Sequence, residues 1–206
     1  MTISAFSDEL AQVRTKKKEF LTQIERIVPW KEWLALIQPC YYKGERGNKP
    51  YPLETMLRLY LLQNLYDLSD EATVAETIDS RAFSDFCGVD SSNQVLDGDT
   101  LGRFRNLLLK NGLQEKLFAQ VVAMLMERGL ILKKGTIVDS TIISAPSSTK
   151  NKEKKRDPDA HQVKKGNTWH FGYKAHIGVD KDSGLVHTVE ATSCLLYTSP
   201  SPRDTR

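Results

Sequence analysis

Cysteine is scarce: Cys40, Cys87 and Cys194 are the only three in 206 residues. They are odd in number, far apart and include no C-x-x-C pair. That excludes a disulfide framework and a thiolate zinc site, and it points to a reducing, cytoplasmic setting. Long apolar runs are missing as well. Stretches such as Val121–Met126 and Leu107–Leu109 fall far short of the ~20 residues that cross a bilayer, and no signal-type stretch opens the chain, so no membrane partner is expected. There is no G-x-x-x-x-G-K-S/T, no G-x-G-x-x-G after a strand and no G-x-S-x-G, which leaves nucleotide-cofactor and serine-hydrolase chemistry without support. The excess of one charge sign is small, +3 from 29 Lys+Arg and 26 Asp+Glu, and the 40% apolar fraction is enough to bury the core of one or two domains.

That small net charge hides a local one. Residues 133–174 carry ten Lys/Arg against four Asp/Glu, a local +6. Most of it lies in Lys150–Lys165, where Lys150, Lys152, Lys154, Lys155, Arg156, Lys164 and Lys165 alternate with polar residues and Pro158. This reads as a solvated loop, either a linker kept soluble by lysine or an arm that contacts phosphates.

Apolar residues at spacings of three and four make residues 52–128 helical. Leu53, Met56, Leu57, Tyr60, Leu61, Leu65 and Leu68 give one face. Ser69 caps a second helix through Val74 and Ile78, and Phe83 and Phe86 sit in a short segment ending at Gly88. Asp99 or Thr100 caps a third helix, Leu101–Lys110, closed by Asn111-Gly112, and a fourth runs from Leu113 to Arg128. Val13–Val28 also reads as helical, with Trp30, Trp33, Leu34 and Ile37 packing on the bundle. Past Gly129 the period shifts toward two. A strand over Gly135–Val138, with Ile142 and Ile143 close behind, carries Asp139, and Trp169–Val179 and Leu185–Thr192 form two more strands joined by a turn at Asp180–Gly184. Helices followed by antiparallel strands make an α+β chain.

Three features could carry chemistry. Asp139 follows an apolar strand, so it is either a strand-end carboxylate satisfied by the backbone, Ser140 or Thr141, or an oxygen ligand for a hard cation on a rigid support. The four histidines fall between His161 and His187, but His170 and His176, six apart on one strand, stand about 20 Å from each other, beyond joint ligation. Asp180-x-Asp182-x-Gly184 lacks the downstream Glu of a calcium loop and reads as a turn. The third feature is the phrase Asp97–Arg105, which opens a helix bearing Arg103 and Arg105, with Lys110 further on. It is either an ordinary bundle helix with solvated arginines or one laid against DNA.

Five phrases then occur together and in order: Pro52-Leu-Glu-Thr-Met-Leu-Arg-Leu-Tyr-Leu-Leu-Gln63, Arg81-Ala-Phe-Ser-Asp-Phe-Cys-Gly88, Asp97-Gly-Asp-Thr-Leu-Gly-Arg-Phe-Arg105, Thr136-Ile-Val-Asp-Ser-Thr-Ile142 and Gly172-Tyr-Lys-Ala-His-Ile-Gly-Val-Asp180. From about Phe6 to Thr192 the chain resembles bacterial insertion-sequence transposases of the insertion-sequence-five family, departing at Leu96, where such proteins usually have Pro. The resemblance implies a helical transposase domain over 1–130 and, over 131–193, the first three antiparallel strands of an incomplete RNase H-like catalytic domain. It implies a DDE triad that holds Mg²⁺ or Mn²⁺ for cleavage and joining of transposon-end DNA, with Asp139 in the first catalytic, metal-binding position. The partners it implies are transposon terminal repeats, target DNA and a homo-oligomer, with the lysines of the basic loop and Arg156 as DNA contacts; Arg103 and Arg105 of the helix opening at Asp97, and Lys174, are expected to join them.

Family members continue through a strand bearing the second Asp and a helix bearing the Glu. Here Cys194–Arg206 shows neither pattern, and residues 194–206 are expected to be a non-native tail, adapter-derived or frameshifted. The expectation is a transposase fragment that does not cut DNA and does not stably hold the metal. The alternative is a non-enzymatic DNA-binding or oligomerising remnant.

Overall fold

The computed structural model describes residues 15–42, 49–89, 97–131, 135–145, 156–165 and 167–193. The chain divides into two compact units, Met1–Val121 and Val122–Arg206. Among the described residues the first holds α1 (Lys16–Ile27), α2 (Trp30–Ile37), α3 (Leu53–Leu65), α4 (Asp70–Asp79), α5 (Arg81–Cys87), α6 (Gly98–Lys110) and most of α7 (Leu113–Glu127).

The helix ends follow side-chain chemistry. Thr15 accepts from the Lys18 amide at 3.2 Å to start α1, and Ser69 accepts from the Ala72 amide at 3.2 Å to start α4, as its place before two acids leads one to expect. Gly88 ends α5 in the left-handed region, where a Cβ would be strained. The start of α6 differs from the expected one. Asp97, not Asp99 or Thr100, is the cap, its carboxylate accepting from the Asp99 amide at 3.0 Å, so Gly98 lies inside the first turn. A Cβ on Gly98 would meet the side chain of Glu71 and stand 3.3 Å from its backbone nitrogen, so this helix entry has no room for a larger residue.

Apolar faces of these helices close on a single core that includes Leu21, Trp33, Ile37, Leu57, Leu62, Phe83, Phe104 and Leu108, all buried. The two tryptophans pack as expected: Trp33 is in the core, and Trp30 packs edge-on against it and against Phe86. Two buried threonines are satisfied locally, Thr73 donating to the Ser69 carbonyl and Thr77 to the Thr73 carbonyl, whereas the buried Trp33 indole N–H has no partner among the described residues.

After the end of α7, the described residues of the second unit form an antiparallel sheet of four strands, β1 (Thr136–Ser144), β2 (His161–Lys165), β3 (Thr168–Asp180) and β4 (Val186–Ser193). Sequence reading expects three strands. The fourth, β2, lies in the segment assigned to the basic loop, where a single valine hides it; pairing of its backbone with Thr168–Gly172 makes it a strand. Gly172 is the partner of Ser144 on one side and of His161 on the other. Hence β1 runs along one edge of β3, while β2 and β4 lie end to end along the other. The β3–β4 connection is the expected turn. Asp180 is 1% exposed and accepts from the amide and hydroxyl of Ser183 at 3.0 and 2.8 Å, with Gly184 at φ +70°.

Candidate metal carboxylate and nucleic-acid contacts

Successive side chains of a strand point to opposite faces, and directly paired residues share a face. Asp139 pairs with Ile177, which pairs in turn with Val189; Ile137 pairs with Val179, and Ile143 with Tyr173. Asp139 therefore stands in the middle of an apolar sheet face. That face is open: Ile137, Ile143 and Val189 are 55%, 50% and 57% exposed.

The Asp139 carboxylate is exposed too. One of its oxygens accepts from the neighbouring Ser140 amide at 2.7 Å, and no cation lies within ion-pair distance among the described residues. A surface carboxylate fixed by its own backbone, with an oxygen left over, is a suitable hard ligand for Mg²⁺ or Mn²⁺. It does not make a two-metal site alone. Glu190 pairs with His176 on the opposite face. Asp157 bonds to the Tyr173 hydroxyl, four residues along β3 from Ile177 and so about 13 Å from the Asp139 row. Among the described residues no group of three or more His, Cys, Asp or Glu could hold a metal ion, so no chemical step through a metal can be derived from them.

The histidines have local partners. His176 shares a hydrogen bond with Thr192 at 2.9 Å. His176 pairs with Glu190 in β4, and His187, passed over at the irregularity beside Gly178 and Val179, meets Thr136 at 3.3 Å. Of the cysteines, Cys40 and Cys87 are free thiols, and burial pushes the Cys87 thiol up to about 12, which makes it a poor nucleophile.

Only four of the expected DNA contacts have described side chains. Lys150, Lys152, Lys154 and Lys155 lie outside the described residues, as do the side chains of Lys164 and Lys165 on β2. Arg156 is exposed, its guanidinium 5.8 Å from the Phe171 ring centre, and Lys174 is half-buried in β3, on the sheet face away from Asp139. On α6 the two arginines part company. Arg103 is exposed on the outer side, whereas Arg105 grips Asp70 with two hydrogen bonds of 2.6 and 3.0 Å. Gln63 supports the same carboxylate from α3. Sequence reasoning misses this clamp because its partners are far apart in the chain.

The Arg105 guanidinium and Gln63 amide hold the Asp70 carboxyl below its ordinary range. A depressed carboxyl contributes stability above its unfolded pKa of roughly 3.9, and that contribution is lost as pH falls through the lower folded value. Both side chains are partly exposed, so the amount is under about 1 kcal/mol. Urea midpoints measured from pH 7 down to pH 3 should therefore fall less steeply in Arg105→Gln than in the unaltered chain; parallel curves would contradict the clamp.

The family profile "Transposase domain (DUF772)" matches residues 8–107, and the profile "Transposase DDE domain" matches residues 131–199. No solved structure matches the chain. Among the described residues no helix is long and apolar enough to cross a membrane.

Proposed function

The chain belongs to the DDE-type insertion-sequence transposases, and from that premise we propose that it carries the helical part and the first catalytic carboxylate, Asp139, of an enzyme that cuts and joins transposon-end DNA. The five ordered phrases favour the insertion-sequence-five group within that family, with an RNase H-like catalytic domain opening near residue 131. Such enzymes act on DNA and depend on divalent metal; Asp139 would supply one hard oxygen ligand to Mg²⁺ or Mn²⁺, which when bound would supply activation of the attacking oxygen and neutralisation of the leaving one. The working place is the bacterial cytoplasm, at the nucleoid. Self-association of the chain belongs to the same reading.

One observation carries the proposal: a carboxylate in the centre of an apolar sheet face, bonded among the described residues only to its own neighbour's amide. An exposed strand carboxylate with an oxygen left over is a suitable ligand for a hard cation. The other triad carboxylates have no counterpart on that face among the described residues, so the second reading is that the 206-residue chain holds DNA without cutting it.

A nicking assay on supercoiled plasmid with Mg²⁺ or Mn²⁺ separates these. The 206-residue chain is expected to bind plasmid and leave it intact, and Asp139→Asn should behave identically. In a longer form of the chain that does nick, Asp139→Asn should lower the rate by on the order of 10³-fold or more, while Asp182→Asn in the exposed turn leaves it unchanged. Nicking by the 206-residue chain that vanishes in Asp139→Asn would refute the binding-only reading. Survival of nicking in the longer Asp139→Asn chain would refute the catalytic assignment.

A further inference from the structure

The outer side of α6 faces a groove of about 390 Å³ lined by Cys40, Tyr42, Arg103, Asn106, Lys110 and Asn111, with Leu107 at its base. Two cations stand in it without counter-charges. Arg58 and Arg105 are ion-paired, but neither Arg103 nor Lys110 has a carboxylate within 4.0 Å among the described residues, although Asp99 lies one turn before Arg103 on the same helix. Asn106, exposed between them, has no hydrogen-bond partner among the described residues. Residues 103, 106 and 110 follow the three- and four-residue spacing of one helix face, so their polar ends form a row.

The other wall of the groove is an exposed aromatic held from behind. Tyr41 is buried, donates its hydroxyl to the Tyr51 carbonyl at 2.7 Å and packs edge-on against Phe104 of α6. Its neighbour Tyr42 lies against it, ring centres 5.6 Å apart, and is 54% exposed. A large apolar side chain that is anchored by the core and yet left in water is placed for a ligand with a flat or ribose-like surface.

We propose that this groove seats the sugar-phosphate backbone of one strand of duplex DNA, with Arg103 and Lys110 on phosphates, Asn106 donating between them and Tyr42 against the sugar. This rests on the reading of the chain as a DNA-holding transposase part, and it names the contact surface on the helical unit. Arg103 and Lys110 are seven residues apart, about 10 Å along the helix, a gap that their long flexible side chains can adjust to reach nearby phosphates of one strand. Two unpaired cations at that separation complement a phosphate row, and long cationic and amide side chains are the usual donors to it.

The test uses the full 206-residue chain and a short fluorescent duplex of mixed sequence, titrated by anisotropy from ~50 to ~200 mM salt. The double variant Arg103→Gln/Lys110→Gln should bind about 10-fold more weakly, with the slope of log K against log salt shallower by about 2. Arg81→Gln/Lys116→Gln, which removes equal charge from exposed positions elsewhere, should change neither. Tyr42→Leu should weaken binding several-fold at an unchanged slope. If the groove variants bind like the control pair while Lys152→Gln/Lys154→Gln/Lys155→Gln loses affinity, the DNA reading stands and the groove is wrong. If the unaltered chain binds no duplex at ~50 mM salt, both fall together.

Discussion

Gly172→Val is expected to unfold the sheet unit and spare the helical one. Gly172 adopts φ +157°, which L side chains rarely take, and a Cβ there would overlap the Ile143 carbonyl oxygen and stand 2.8 Å from the Ala145 nitrogen. Those are backbone atoms of β1 and of the residue just after it, and the Ala145 amide is itself bonded to the Phe171 carbonyl at 2.8 Å, so neither side can give way without parting the strands. Gly172 is also where β1 and β2 meet β3 from opposite edges. Backbone strain and overpacking at that crossing should together cost on the order of 3 kcal/mol or more. Amide exchange is the measurement: the β3 amides from Tyr173 to Val179 should lose protection, while those of α6 keep it. Unchanged protection in β3 would show that the close approach is not real.

Arg58→Ala should have a comparable effect on the other unit. The Arg58 guanidinium reaches Glu25 of α1 at 2.5 and 2.8 Å, Glu54 of α3 at 2.7 and 3.0 Å and the Phe86 carbonyl of α5 at 2.9 Å. It also lies 4.2 Å from the Trp30 ring centre. Four helices thus meet on one side chain that is only 12% exposed. The two glutamates are about half exposed and can rehydrate, which limits the loss. The Phe86 carbonyl and the stacked indole lose a partner outright, and a total of about 2–3 kcal/mol follows. For a unit of this size that lowers the melting temperature by roughly 10 °C. Arg58→Lys should recover little of it, because a compact ammonium cannot serve two carboxylates and a carbonyl at once. A melting point within about 2 °C of the unaltered chain in Arg58→Ala would remove Arg58 from the list of supports.

Much of this architecture could be read from residue order where the physics is local. Ser69, Gly88, Gly112, Gly129 and Gly184 punctuate the chain at the helix and turn boundaries, and the aromatic and β-branched runs mark β3 and β4 to within a residue or so. What was hidden is non-local. β2 is a polar segment made into a strand by its neighbour, and Gly98, inside the first turn of α6 after the Asp97 cap, runs close to Glu71 of another helix. Arg105 looks like its neighbour Arg103 in the sequence, yet a carboxylate 35 residues away occupies it. Asp139 was legible as a strand-borne acid. That it shares a face with Ile177 and Val189 depends on register, which one strand alone does not disclose.

The placing of three strands on β3 also sets an order of assembly. β4 follows β3 through a short turn, and β2 precedes it by two residues, so both pairings close small loops and form early. β1 must instead find the same strand across the whole stretch from 145 to 171, and the entropy of that closure makes it the late arrival. Asp139 rides on this last strand. A newly made chain thus acquires most of its sheet before the Asp139 carboxylate reaches its place beside Ile177.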